Sequence, residues 1–175
     1  MKVNCVVQRG VNEHQIPKLV RKFRGTGVIV RFIEFMDVGS TNGWTKGQVV
    51  PTSEIIDFLS SEFDLTPLAR KSASDVASRW AHSDGSGEIG FISSVSQPFC
   101  GDCVRARLSS DGKFFTCLFT TMGHDMSALI RSGRETDVLT QSIEEVWSAR
   151  KDRYSEERSS GAISLPRVEM SYIGG

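Results

Sequence analysis

The sequence has no surplus of either charge: 21 Lys and Arg balance 21 Asp and Glu over 175 residues. General nucleic-acid binding draws on a basic excess, so that class is set aside. No apolar run approaches the roughly 20 residues of a membrane span. The opening Met1-Lys2-Val3-Asn4-Cys5-Val6-Val7 is too short and too polar for a secretory signal. Internal repeats and low-complexity tracts are absent, and 39% hydrophobic with 24% charged residues is ordinary globular composition. Cysteines are few: Cys5, Cys100, Cys103 and Cys117. Without a secretory segment a reducing compartment, the cytoplasm, is expected, and a disulfide framework is not.

What is present is α/β in pattern. Residues 2–7 are Val-rich and read as a strand buried on both faces, with Cys5 as a small buried hydrophobe. Asn12 with Gln15 reads as a capping box. Ile16, Leu19, Val20 and Phe23 then follow at helical spacing, and Gly25 or Gly27 stops the helix. Residues 28–35 form a second strand, parallel to the first, and the pair needs further strands and helices on both faces. Residues 36–50 are a long loop. Ser53 opens a helix with Ile55, Ile56, Leu59 and Phe63, and strands follow near 77–82 and 88–94. Strands 105–109 and 113–119 flank Asp111-Gly112 as a hairpin. Asp125 and Thr136 each cap a helix, the second carrying Leu139, Ile143, Val146 and Trp147 on one face. Residues 150–162 read as an exposed charged loop.

The spacing Cys100-x2-Cys103-x13-Cys117 is the sharpest feature. Three thiolates leave two readings open. With His124 as fourth ligand they make a closed Cys3His zinc site. Alone they suit an iron–sulfur cluster with one open iron. Arg105 and Arg107 alternate after the second cysteine and fall on one strand face, and fixed guanidinium forks suit phosphate. A two-residue turn at Asp111-Gly112 pairs Arg105 with Leu118. A three-residue loop, Ser110-Asp111-Gly112 with Gly112 left-handed, pairs Arg105 with Cys117, and this register is the expected one.

Five separated motifs carry a resemblance. They are Lys2-Val3-Asn4-Cys5-Val6-Val7, Arg31-Phe32-Ile33-Glu34-Phe35-Met36, Phe99-Cys100-x2-Cys103-x-Arg105-x-Arg107-Leu108, Asp111-Gly112-Lys113…Cys117-Leu118-Phe119, and Ile173-Gly174-Gly175. In this order they resemble the C-terminal half of the GTP 3′,8-cyclases, radical S-adenosylmethionine enzymes of molybdenum cofactor biosynthesis. The resemblance implies a [4Fe–4S] cluster on Cys100, Cys103 and Cys117, with its open iron on the guanine of GTP. It implies GTP contacts at Lys2, Arg31, Arg105, Ala106 and Arg107. It implies an S-adenosylmethionine contact at Met36 and an assisting Gly174-Gly175 tail. The implied fold is the last strand–helix–strand of an incomplete (βα)6 TIM-like barrel over residues 1–50. A C-terminal α+β domain with the cysteine-bearing hairpin follows over 51–175. A homodimer is implied, with no nucleic-acid or membrane partner.

The family's Cys-x3-Cys-x2-Cys loop, whose cluster cleaves S-adenosylmethionine, has no counterpart in this sequence. In the family a deoxyadenosyl radical takes hydrogen from ribose C3′, and C3′ attacks guanine C8 to give 3′,8-cyclo-7,8-dihydroguanosine 5′-triphosphate. The expectation is a chain that binds GTP and one cluster but is inactive alone, needing an N-terminal half from upstream or from another chain. The abrupt strand at Met1 is expected to be the cut edge.

Overall fold

The Val-rich opening segment becomes strand β1 (Lys2–Val7), paired in parallel with β2 (Ile29–Glu34). The computed structural model describes residues 1–133, 135–158 and 168–173. These fall into two compact units, one of residues 1–36 and 44–103, the other of 37–43 and 104–175. In the first unit β3 (Leu65–Leu68), β4 (Ser78–His82) and β5 (Glu88–Ile92) complete a sheet of order β1-β2-β5-β4-β3. β5 lies parallel to β2, while β4 and β3 run antiparallel, so the sheet is mixed.

Helices α1 (Ile16–Phe23) and α2 (Thr52–Ser60) bury Ile16, Val20, Ile55 and Leu59 in one cluster with Val7, Val30, Phe32, Ile89 and Phe91. Alternate strand residues share a face, so both helices cover the same face of the sheet. The expectation of helices on both faces is therefore not met within this unit. β1 is likewise not buried on both sides: Val7 is fully buried, but its neighbour Val6 is 45% exposed. As the edge strand of a sheet covered on one side, β1 shows the alternation of a half-buried strand. Cys5 is half-buried against the cluster, and that burial pushes its thiol pKa up.

The capping box at Asn12 does not form. Asn12 Oδ1 instead accepts from Gln8 N–H (2.8 Å), and its Nδ2 donates to the Val6 carbonyl (2.8 Å), closing the turn after β1. A 3-10 turn, Glu13–Gln15, leads into α1. Pro17 sits in the first turn, where no N–H is needed. β3 was not anticipated, because Pro67 argues against a strand; at the sheet edge its missing N–H costs no ladder bond.

His82, at the end of β4, is buried, and its Nδ1 has no hydrogen-bond partner among the described residues. Burial, and then the charge of Arg24, lower its pKa. The unfolded chain takes up this proton near pH 6.5, the folded unit only at lower pH. Stability from His82 is thus complete above that pH and lost as pH falls below it. His82→Leu is expected to flatten the loss of urea resistance between about pH 7.5 and 5.5, read by Trp80 fluorescence. An unchanged slope would show that His82 does not carry it.

The second unit holds a three-stranded sheet of β6 (Arg107–Leu108), β7 (Lys113–Phe115) and β8 (His124–Asp125), with α3 (Ser127–Arg131), α4 (Thr136–Ala149) and α5 (Tyr154–Glu157). The hairpin strands are shorter than expected. Their register, Arg107 opposite Phe115 and Leu108 opposite Phe114, is that of a three-residue loop 110–112. Gly112 takes the left-handed conformation at φ 87°, but the ladder ends before Arg105 and Cys117. The cap of α3 is Met126 and not Asp125, whose carboxylate one residue earlier accepts from the Ser127 N–H at 2.8 Å. Thr136 is the first helical residue of α4 and Glu135 is its cap. Residues 150–158 are not a plain exposed loop, since they include α5 and an Arg158 whose side chain is only 11% exposed; residues 159–162 lie outside the described residues.

Candidate functional site

The register across the first unit sets Lys2 opposite Ile29, Asn4 opposite Arg31, and Arg31 opposite Gly90. Lys2, Asn4, Arg31 and Gly90 therefore share the face that neither α1 nor α2 covers. Lys2 is exposed and Arg31 half-buried. The unit's other arginines are all engaged. Arg9, Arg21, Arg24 and Arg79 pair with Glu54, Glu62, Asp84 and Glu88, and Arg70 donates to the Asp75 carbonyl. Among the described residues the Lys2 and Arg31 side chains have no hydrogen-bond or ion-pair partner. The planar fork of a guanidinium has the geometry to take a phosphate or carboxylate through two bonds.

Beneath this face the end of β2 is fixed by Glu34, which is fully buried. Its carboxylate accepts from the backbone N–H of Thr52 (2.7 Å), Val95 (2.8 Å) and Ser96 (2.8 Å), and from the Ser96 hydroxyl (2.5 Å). The Ser94 hydroxyl donates to the Glu34 carbonyl at 3.2 Å, and Ser93 bonds Thr52 at 2.8 Å. One carboxylate thus ties together the end of β2, the start of α2 and the loop after β5. That loop runs on to Cys100 and Cys103, where Cys103 N–H closes a turn on the Cys100 carbonyl at 3.2 Å. Met36 is half-buried two residues beyond β2. Sequence reasoning gave Glu34 no role, although a carboxylate on the core-facing parity of a strand was the available signal.

In the second unit Arg105 and Ala106 are exposed just before β6, and Arg107 is half-buried in it. With Arg105 outside the ladder, strand alternation does not fix both arginines to one face. Cys117 follows β7 by two residues, and its Sγ accepts the Phe119 N–H at 3.4 Å. The C-terminal segment is held at two places. Glu169 accepts from Ser40 N–H (2.7 Å) and Thr41 Oγ1 (3.3 Å). Tyr172 donates to Asp111 (2.7 Å) and accepts from Lys113 (3.0 Å), and Ile173 is buried. The Ser109 hydroxyl, then Tyr172 and Lys113, hold the Asp111 carboxyl far below the usual carboxylate range. Gly174 and Gly175 lie outside the described residues. The sequence singled out the terminal glycines but not the two anchors that precede them.

Cys100, Cys103 and Cys117 are reduced and half-buried. Three such thiols, one of them receiving a backbone N–H, have the donor chemistry of an iron–sulfur ligand set. Cys100 and Cys103 belong to the first unit and Cys117 to the second. Among the described residues no three His, Cys, Asp or Glu side chains are gathered as a metal site. No described helix is long and apolar enough to cross a membrane.

Comparison with known proteins places the chain in a family. A GTP 3′,8-cyclase of Xanthomonas campestris pv. campestris is 50% identical over all 175 residues, which span 51% of that protein. Those of Staphylococcus carnosus and Acidothermus cellulolyticus are 45% and 42% identical, again over the whole chain and over 53% and 55% of their own lengths. The chain thus spans about half the length of the curated relatives it matches. The family described as Molybdenum Cofactor Synthesis C matches residues 28–156, which is most of the chain including all three clustered cysteines, and this protein belongs to that family.

Proposed function

We propose that this chain is the substrate-binding part of a GTP 3′,8-cyclase, binding GTP and one [4Fe–4S] cluster. The observation that carries the reading is the pair of cations, Lys2 and Arg31, without partners among the described residues on one face of the sheet. Residues 1–50 then correspond to the end of the radical enzyme's partial barrel, and 51–175 to its C-terminal domain. Lys2 and Arg31 bind the triphosphate as one group of cations, and Arg105 and Arg107 as another, with Ala106 offering backbone between them. Cys100, Cys103 and Cys117 hold the cluster, which when bound supplies an open iron for an atom of the guanine base. Anchoring GTP at both ends fixes the ribose, so that a reactive partner meets one hydrogen and not several. Met36 faces S-adenosylmethionine, and the Gly174-Gly175 tail assists. The chemistry that generates the radical belongs to a part of the enzyme this chain does not carry.

Anaerobic reconstitution with iron and sulfide tests the reading. About four irons per chain are expected, with sulfur-to-iron charge-transfer absorption. Cys100→Ala, Cys103→Ala or Cys117→Ala is expected to abolish both. One zinc per chain and no iron would put a Cys3His module, with His124 as fourth ligand, in its place. The purified chain is expected to bind GTP and form no cyclised product. Turnover without a partner would overturn the assignment of the radical chemistry elsewhere.

A further inference from the structure

Gly90 is buried in the middle of β5, paired on both sides, opposite Arg31 on β2 and Arg79 on β4. Glycine weakens a strand interior, and a glycine kept there marks a bulge or a close approach. The backbone at Gly90 is not left-handed, so its conformation does not require glycine. Space is what favours it: the arginine stem would have to give way by a few tenths of an ångström, because a Cβ on Gly90 would lie 3.0 Å from Cγ of Arg31. That is closer than carbon atoms pack at ease. The neighbouring carboxylate on this face of β5, Glu88, is committed to Arg79 through contacts of 2.7–3.0 Å. Arg31 therefore crosses bare backbone toward a row whose own carboxylate is already neutralised.

We propose that Gly90 is the positioning residue for Arg31, its missing side chain letting the arginine stem lie across β5 and present the guanidinium to a polyphosphate. This rests on the assignment of Arg31 to the triphosphate, and the experiment separates the two. Inorganic tripolyphosphate and GTP are titrated calorimetrically into the full chain. Tripolyphosphate affinity is expected to fall about threefold in Gly90→Ala and about tenfold in Gly90→Val and in Arg31→Ala. Because all act through one group, Gly90→Ala in an Arg31→Ala background is expected to cause no further loss. Wild-type affinity in both Gly90 variants, or losses that multiply, would overturn the proposal.

Stability gives a second reading should Gly90→Val fail to fold. Any urea sensitivity of Gly90→Ala is expected to disappear when Arg31 is also alanine, because the clash is with the Arg31 stem. A loss that is the same with either residue at position 31 would make Gly90 merely structural and overturn its positioning role. If the wild-type chain binds tripolyphosphate but not GTP, the nucleotide reading fails and the anion seat stands. If it binds neither, both fail.

Discussion

Replacing Glu34 with alanine is expected to destabilise the first unit by about 3–5 kcal/mol, a large part of the stability of an ordinary domain. The size follows from what is left behind. Three backbone N–H groups and one hydroxyl converge on a fully buried carboxylate. Without it they have neither protein nor ready access to water, and each orphaned donor costs about 1–3 kcal/mol. Partial relaxation keeps the total below the simple sum. Glu34→Gln keeps one accepting oxygen but turns an NH2 group toward other donors, so an intermediate loss is expected. The measurement is urea unfolding followed by Trp80, which lies in β4 of the same unit. A functional consequence accompanies it. The loop at 93–96 loses its anchor to β2 and α2, and the Cys100–Cys103 turn comes only a few residues later. Glu34→Gln that still folds is expected to take up less iron on reconstitution than the wild type. A Glu34→Ala chain with wild-type urea resistance would remove both expectations.

How much of this was legible in sequence depends on the kind of signal each element emits. α1 and α2 were readable from apolar residues at helical period, and β1 and β2 from short runs rich in Val and Ile, although the run in β1 did not show that only one of its faces is covered. The hairpin loop was readable because Asp111-Gly112 has a small set of turn solutions, and the short ladder sets which one occurs. β3 was hidden by Pro67, since only its place at the sheet edge makes proline harmless. β8 is two residues long and pairs beside Gly123, where a Cβ would strike the Phe115 ring at 2.7 Å; nothing local announces such a fit. For the site, the cysteines and arginines stood out by type and spacing. The supports did not: Glu34, Gly90, Glu169 and Tyr172 matter through partners distant in sequence. Motif reading finds candidate groups by type and spacing, whereas the residues packed around them are defined only by tertiary contact.

Asp37→Asn is expected to cost the second unit about 3–5 kcal/mol, because it strips the counterion from a buried guanidinium. The Asp37 and Arg158 side chains are 4% and 11% exposed and meet at 2.9 Å. Tyr154 donates a further bond to Asp37 at 2.7 Å. Arg158 lies over the rings of Phe119 and Tyr154, which themselves stack with centroids 4.6 Å apart. Those faces favour a cation, yet two such contacts, each worth about 0.5–2 kcal/mol, do not replace the lost water and the lost anion together. Asparagine still serves Tyr154 but carries no charge. If the missing charge is the cause, removing the cation as well should recover most of the loss. Asp37→Asn with Arg158→Met places a flexible thioether against the two rings, and methionine packs well there. Urea unfolding read by Trp147, in a Trp44→Phe, Trp80→Phe background, isolates this unit because Trp147 lies on α4. Because the pair is screened from solvent, the cost should change little with added salt, unlike that of an exposed ion pair. A double variant as unstable as Asp37→Asn alone would show that the loss does not come from leaving the Arg158 charge without its counterion.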